Sequence, residues 1–287
     1  MDKLERQTFQ TSRALEFFSE KELSMQIGHD TARWPLAMVK ELIDNSLDAC
    51  ESAGVLPEIE IGLEKDSIFI RDNGPGLPAR VLEKSLDYMV RVSDKNHYVS
   101  PSRGQLGNAL KCVWAVPFVL DGEHGRVVVS TGSEVHTIDV SMDRIAQTPV
   151  IKHTVKEDGF VRNGTFIKMF LPEQACLELT SEMDVFYKMV SEYGLFNPHE
   201  VDGFYKMVSE YGLFNPHGDF ITGGYTFRRT STECLKWTPS TPTSAFWYTA
   251  ESLRNLIAAM VSNGDKKSLR LFVSEFRGLS SSAKQKQ

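Results

Sequence analysis

The chain has 287 residues and a formal net charge of -6, with 41% of its residues hydrophobic and 24% charged. Such a composition suits a soluble globular protein of one large or two modest domains. Its acidic balance argues against a surface that coats nucleic acid without regard to sequence. The longest apolar stretch, Val113 to Leu120, falls far short of the roughly 20 residues needed to span a bilayer. The N-terminus, Met1 to Arg6, lacks the apolar core of a signal peptide, so a cytoplasmic protein with no membrane partner is expected. Cys50, Cys112, Cys176 and Cys234 are scattered, with no C-x-x-C pair, and imply neither a zinc site nor a disulfide framework.

Residues 1–30 read as an N-terminal arm with short helical pieces, among them Ala14-Leu-Glu-Phe-Phe18. Leu36, Val39, Ile43, Leu47 and Cys50 recur at helical spacing and predict a helix over 36–50. Ile59–Leu63 and Ser67–Ile70 predict a strand pair turning at Lys65-Asp66. Pro78 opens a helix to about Met89, and the polar, aperiodic residues 92–103 read as a loop. A further helix starts near Gly104. Strands are then expected at Phe118–Leu120, Gly125–Ser130, Val135–Val140, Val150–Thr154 and Gly164–Leu171, as an antiparallel meander. This order predicts an α+β sandwich with helices on one face of a mixed sheet.

Phe186–His199 recurs unchanged at Phe204–His217, eighteen positions later. One perfect copy is not a solenoid, which needs several diverged units. It reads as a recent tandem duplication, or an artefact of cloning or assembly, rather than a functional repeat. Either copy can form the same helix, ended by Gly and Asn-Pro. Lys266, Lys267 and Arg270 cluster near the end, and fit solvated loop charge as well as a DNA contact.

Three segments carry chemistry. In Glu41-Leu-Ile-Asp-Asn45-Ser-Leu-Asp-Ala49, Glu41, Asn45 and Asp48 share one helix stripe away from the apolar face. A glutamate one turn before an asparagine could polarise a water while the amide oxygen binds Mg²⁺ beside phosphates. Alone, the stripe also fits a solvated amphipathic helix. Asp44 lies off it, at the surface or behind the site. Asp72-Asn-Gly-Pro-Gly-Leu77 puts a carboxylate before a glycine turn, where it can accept the exocyclic amine proton of adenine while Gly74 and Gly76 permit close backbone approach. Thr165, after Asn163-Gly164, could share in that recognition through its hydroxyl, though a lone Gly-Thr carries little weight. Gly104-Gln105-Leu106-Gly107-Asn108-Ala109-Leu110-Lys111 is a glycine-rich stretch opening a helix, whose free N–H groups can hold phosphates. Lys95 and Lys111 are candidate phosphate cations, although a helix-surface lysine is the commoner case. No Walker P-loop pattern occurs in the chain. The set describes an ATP-hydrolysing site of another kind.

In order and spacing the three segments resemble the GHKL ATPases, whose fold is the Bergerat two-layer sandwich. Within that superfamily the nearest resemblance is to the B subunit of topoisomerase VI, over roughly residues 10 to 220. Glu41 to Ala49 resembles its first motif, Lys95-Asn-His97 with Arg103-Gly104-Gln105 its lid, and Tyr-Gly-Leu-Phe-Asn-Pro-His a later segment. The resemblance implies Glu41 as general base, Asn45 as magnesium ligand and Asp72 as adenine anchor, with Lys95 and Gly104 to Lys111 as lid and phosphate cradle. It implies ATP and Mg²⁺ as cofactors and an ATP-dependent homodimer. It also implies a Toprim-containing DNA-cleaving A subunit as partner, with DNA engaged through that complex.

The domains implied are an arm at 1–30, the ATPase domain at 31–220 and a C-terminal extension at 221–287. The extension resembles the start of a helix–two-turn–helix region, with the transducer absent, so slow or absent turnover is expected of the chain alone. The third motif leans toward the MORC form, which implies an alternative: an ATP-gated DNA clamp or assembly module that works without a cleavage partner. A histidine kinase is disfavoured, because no dimerisation helix with a phospho-accepting histidine precedes the motifs.

Overall fold

The computed structural model describes residues 17–88, 109–143, 145, 148–179, 204–223, 225–233, 248–262, 264, 266–276 and 279–280. Among them the helices are α1 (Glu20–Ile27), α2 (Trp34–Ala53), α3 (Ala79–Leu86), α4 (Ala109–Asp121), α5 (173–179), α6 (Phe204–Phe214), α7 (Ala250–Ser262) and α8 (Leu269–Glu275). The strands are β1 (Glu58–Glu64), β2 (Ser67–Asp72), β3 (His124–Asp143), β4 (Thr148–Phe170), β5 (Asp219–Thr222) and β6 (Tyr225–Phe227). They form one mixed sheet in the order β3-β4-β2-β1-β5-β6, in which only β1 and β5 run parallel. The fold is α+β, as the element order implies.

Register explains the two layers. Ile61, Ile70, Ile167 and Val129 are cross-strand partners in one row, and Leu63, Ile68, Met169 and Val127 form the next. These rows pack against Trp34, Met38, Leu42, Ile43 and Leu47 of α2 and Val113, Trp114 and Val116 of α4 in a single core. Burying each such aliphatic side chain contributes about 1.5–3 kcal/mol. The opposite face is half-exposed and carries ion pairs: Arg71 meets Glu60 at 3.1 Å and Arg126 meets Asp139 at 2.7 Å. Phe69 lies across Gly62, where a Cβ would come within 2.0 Å of the ring.

Three expectations are corrected. Phe118–Leu120 is not a strand but the end of α4, which runs through Pro117 to Asp121. Its residues from Lys111 to Phe118 are buried without alternation and Val119 and Leu120 are half-buried, and an apolar run of that kind has no strand period to read. The expected meander is two long strands: Thr131-Gly132-Ser133 forms a bulge within β3 rather than a turn, with Gly132 at φ +57. The helix after Pro78 ends at Leu86 rather than Met89. The arm up to residue 16, the loop at 92–103 and the start of the third motif lie outside the described residues.

The second copy of the duplicated unit, Phe204–His217, has a seat in the core. Phe204 and Val208 are fully buried, and the Tyr211 hydroxyl donates to Asp44 Oδ1 at 2.7 Å. His217 Nε2 lies 3.0 Å from Glu51 Oε1. Gly218 then leads directly into β5, where Phe220 continues the row of Ile59. The first copy, 186–199, and residues 200–203 lie outside the described residues. Deleting 186–203 is therefore expected to leave the melting temperature unchanged. Tyr211→Phe should lower stability by about 1.5–3 kcal/mol through the lost bond to a buried carboxylate, and Tyr193→Phe should cost nothing. Equal losses in thermal melts would contradict the assignment.

α7 and α8 build a small separate cluster from Leu256, Met260 and Phe276, with Tyr248, Leu253, Phe272 and Leu279 against it. Lys267 of the basic cluster pairs with Glu275 at 2.6 Å. Among the described residues no helix is long and apolar enough to cross a membrane.

Candidate functional site

Asp72 ends β2 opposite Ile59, so its side chain points to the helix-covered face at the margin of the apolar rows. Thr165 and Thr131, paired across β4 and β3, continue that margin. The carboxylate is 5% exposed. Its Oδ1 accepts the N–H groups of Gly74 at 2.9 Å and Thr165 at 3.1 Å, and its Oδ2 accepts the Ser46 hydroxyl at 3.1 Å. Burial pushes the carboxyl above its usual range, and these donors pull it partly back. The backbone donors are fixed on Oδ1, whereas a hydroxyl can rotate.

The turn is built for close approach. Gly164 has φ +84, and a Cβ there would stand 1.8 Å from the Asp72 carbonyl oxygen. Gly76 has φ +88 and a Cβ there would meet Thr131 Oγ1 at 2.7 Å. Thr131 in turn donates its hydroxyl to the Leu77 carbonyl at 3.1 Å. Asn73 is structural: its side chain accepts from Glu58 N–H at 2.9 Å and donates to the Leu56 carbonyl at 3.0 Å.

Glu41 and Asn45 stand one turn apart on α2, both half-buried. The thiol of Cys112, in the first turn of α4, is pushed up to about 12 by burial and then by the charge of Glu41. That places the Glu41 carboxylate within electrostatic reach of the start of α4. The Asn45 amide nitrogen is buried with no hydrogen-bond partner among the described residues, and a flip would present the amide oxygen there instead. A single amide oxygen beside a carboxylate suits Mg²⁺, which keeps several waters and takes phosphate oxygens. Among the described residues no group of three His, Cys, Asp or Glu side chains could hold a metal.

Asp44 is 3% exposed. It holds Lys40 at 2.8 Å as well as Tyr211, tying α2 to α6. Lys111 is not on the helix surface. It is 3% exposed, and its ammonium donates to the Asp87 carbonyl at 2.7 Å. Ala109 and Leu110 begin α4, while Lys95 and Gly104 to Asn108 lie outside the described residues. The structure thus gathers Asp72, Gly74, Gly76 and Thr165 at one place, with Glu41 and Asn45 on the neighbouring helix. Sequence reasoning missed Ser46, Thr131 and Gly164. Only the Asn-Gly turn signal before Thr165 pointed toward any of them.

No family model matches the chain. It is 30% identical over 181 residues to the B subunit of type 2 DNA topoisomerase 6 from Methanosarcina acetivorans, covering 60% of this chain and 28% of that one. The protein of the same name from Archaeoglobus fulgidus is 28% identical over 190 residues, covering 64% and 31%. The chain thus matches under a third of the length of these relatives. Among solved structures, the Aquifex aeolicus MutL ATPase domain complexed with ADP superposes loosely, at a TM-score of 0.36 and 17% identity, over 78% of this chain and 68% of that one. Over about 60% of its length, then, the chain is similar to the B subunits of type 2 DNA topoisomerase 6.

Proposed function

We propose that the chain binds Mg²⁺-ATP and hydrolyses it, so that nucleotide drives two copies together. In this reading it is the B-type ATPase component of a topoisomerase VI-like enzyme in the cytoplasm, with a Toprim-containing A subunit cleaving the DNA. The observation that carries it is Asp72: a buried carboxylate whose Oδ1 accepts two backbone N–H groups and whose Oδ2 accepts only a side-chain hydroxyl, that of Ser46, among the described residues.

Each residue has a stated task. Asp72 Oδ2 accepts the adenine amine, and the Thr165 and Ser46 hydroxyls complete the edge. Glu41 takes the proton of the attacking water as general base. Asn45 would hold Mg²⁺, which when bound neutralises charge on the phosphate oxygens. The N-terminus of α4 would turn its first-turn N–H groups and helix dipole toward the phosphates. Catalysis is positioning and charge stabilisation, and closure of the dimer is the output.

The MORC-like form of the third motif, Gly107-Asn-Ala-Leu-Lys111, supports a second reading, an ATP-gated clamp or assembly module without a cleavage partner. A neighbouring gene for a Toprim nuclease separates the two. The test of the shared core is calorimetry with a non-hydrolysable ATP analogue. Saturable binding that tightens with Mg²⁺ is expected, and the absence of binding heat under both conditions overturns the reading.

A further inference from the structure

Lys111 reaches into a closed box. Its ammonium donates to the Asp87 carbonyl at 2.7 Å, and the Tyr88 hydroxyl donates back to the Lys111 carbonyl at 3.1 Å. The same ammonium stands 5.5 Å from the Tyr88 ring centroid and 5.9 Å from that of Phe17, within cation–π range. Tyr88 packs against Phe17 at 5.1 Å and Phe18 at 4.9 Å, and Phe18 reaches Phe118 of α4 at 5.9 Å. Three separate stretches of chain therefore meet on one ammonium: residues 17–18 ahead of α1, the end of α3, and the first turn of α4. A second tie supports the same joint, where Trp114 Nε1–H donates to the Ser85 hydroxyl at 2.8 Å.

We propose that Lys111 is a positioning residue, whose ammonium clasps Phe17, Tyr88 and the Asp87 carbonyl and so sets the direction of the α4 N-terminus. A lysine whose charge served the phosphates directly would leave its ammonium in an open cleft. Here it is buried, hydrogen-bonded to a carbonyl and faced by two rings. A cation buried this way is stable only while its partners stay in place. Displacing Phe17 therefore disturbs the helix end that points at the triphosphate. The clasp couples the segment before α1 to phosphate binding, and leaves the Asp72 end of the site alone. The consequence for phosphates rests on the nucleotide reading above, while the clasp itself does not.

Two measurements on the full chain test it. In thermal melts without nucleotide, Lys111→Met and Phe17→Leu are expected to be non-additive, the double variant melting close to Lys111→Met alone. Additive shifts overturn the clasp, whether or not the chain binds nucleotide. In calorimetry, Lys111→Met is expected to weaken a non-hydrolysable triphosphate by about tenfold or more while adenosine binds as to the wild type. Tyr88→Phe should weaken the triphosphate in the same sense, with little further loss in the double variant. Additive losses, or a Tyr88→Phe variant that binds the triphosphate normally, make Lys111 a direct phosphate contact and overturn the proposal. Should Lys111→Met not fold, Lys111→Arg, which keeps the charge, and Tyr88→Phe carry the same comparison. If wild type binds no nucleotide, the function reading fails and the melts alone decide the clasp.

Discussion

Replacing Glu41 by Gln is expected to cut phosphate release from saturating Mg²⁺-ATP by about 10²–10⁴-fold, the range a positioned general base supplies. Nucleotide affinity should stay within a few-fold of wild type. Gln matches Glu in shape and helix preference, so α2 and its apolar face are undisturbed. What is lost is the ability to accept the proton of water. Glu41 stays within electrostatic reach of Cys112 in the first turn of α4, whose thiol is pushed up first by burial and then by the Glu41 charge. Phosphate-release kinetics and calorimetry on one preparation decide the matter. Unchanged turnover removes Glu41 from catalysis, and loss of both turnover and binding makes it a ligand contact.

Asp72→Asn is expected to abolish discrimination for adenine and to weaken ATP by about 1.5–3 kcal/mol, some 10- to 100-fold, as the loss of a hydrogen bond to a charged group does. The fold should survive. An Asn oxygen at the Oδ1 position still accepts from Gly74 and Thr165, and Ser46 can turn to accept from the new amide. The amide nitrogen, however, presents donors to an amine that is itself a donor. The pH dependence has a definite sign. Burial raises the folded-state pKa of Asp72, so its contribution to stability is fully present below the ordinary carboxylate pKa and is lost as pH rises through the raised value. Nucleotide affinity runs the other way, because the protonated acid is a poorer acceptor. It should decline on acidification from above the ordinary carboxylate range, and this decline should vanish in Asp72→Asn. An affinity that falls only within the ordinary range would contradict the assigned environment.

Much of the site was legible because its signals are local. The apolar positions of α2 from Leu36 to Cys50 follow a 3.6-residue period over about four turns, so the stripe holding Glu41 and Asn45 could be placed before any fold was known. Asp72 was marked by the glycine turn after it. Phe118–Leu120 was misread because it continues an apolar run, buried through Phe118, that carries no alternation to read. Thr131-Gly132-Ser133 was misread because a bulge and a turn use the same residues.

From the sequence alone came the α+β order, the helix carrying the acid and amide, the carboxylate before its glycine turn, and the duplication itself. Only the tertiary structure decided that Ser46 and Thr165 hold Asp72, that Asp44 binds Tyr211, and that Lys111 turns inward to Asp87. It also showed the second copy of the repeated unit seated in the core, leading into β5. The physical reason is range: helical period and turn chemistry act between near neighbours in the chain. Strand register and side-chain partnership join residues such as Asp72 and Thr165, which lie 93 positions apart, and exist only once the sheet has closed.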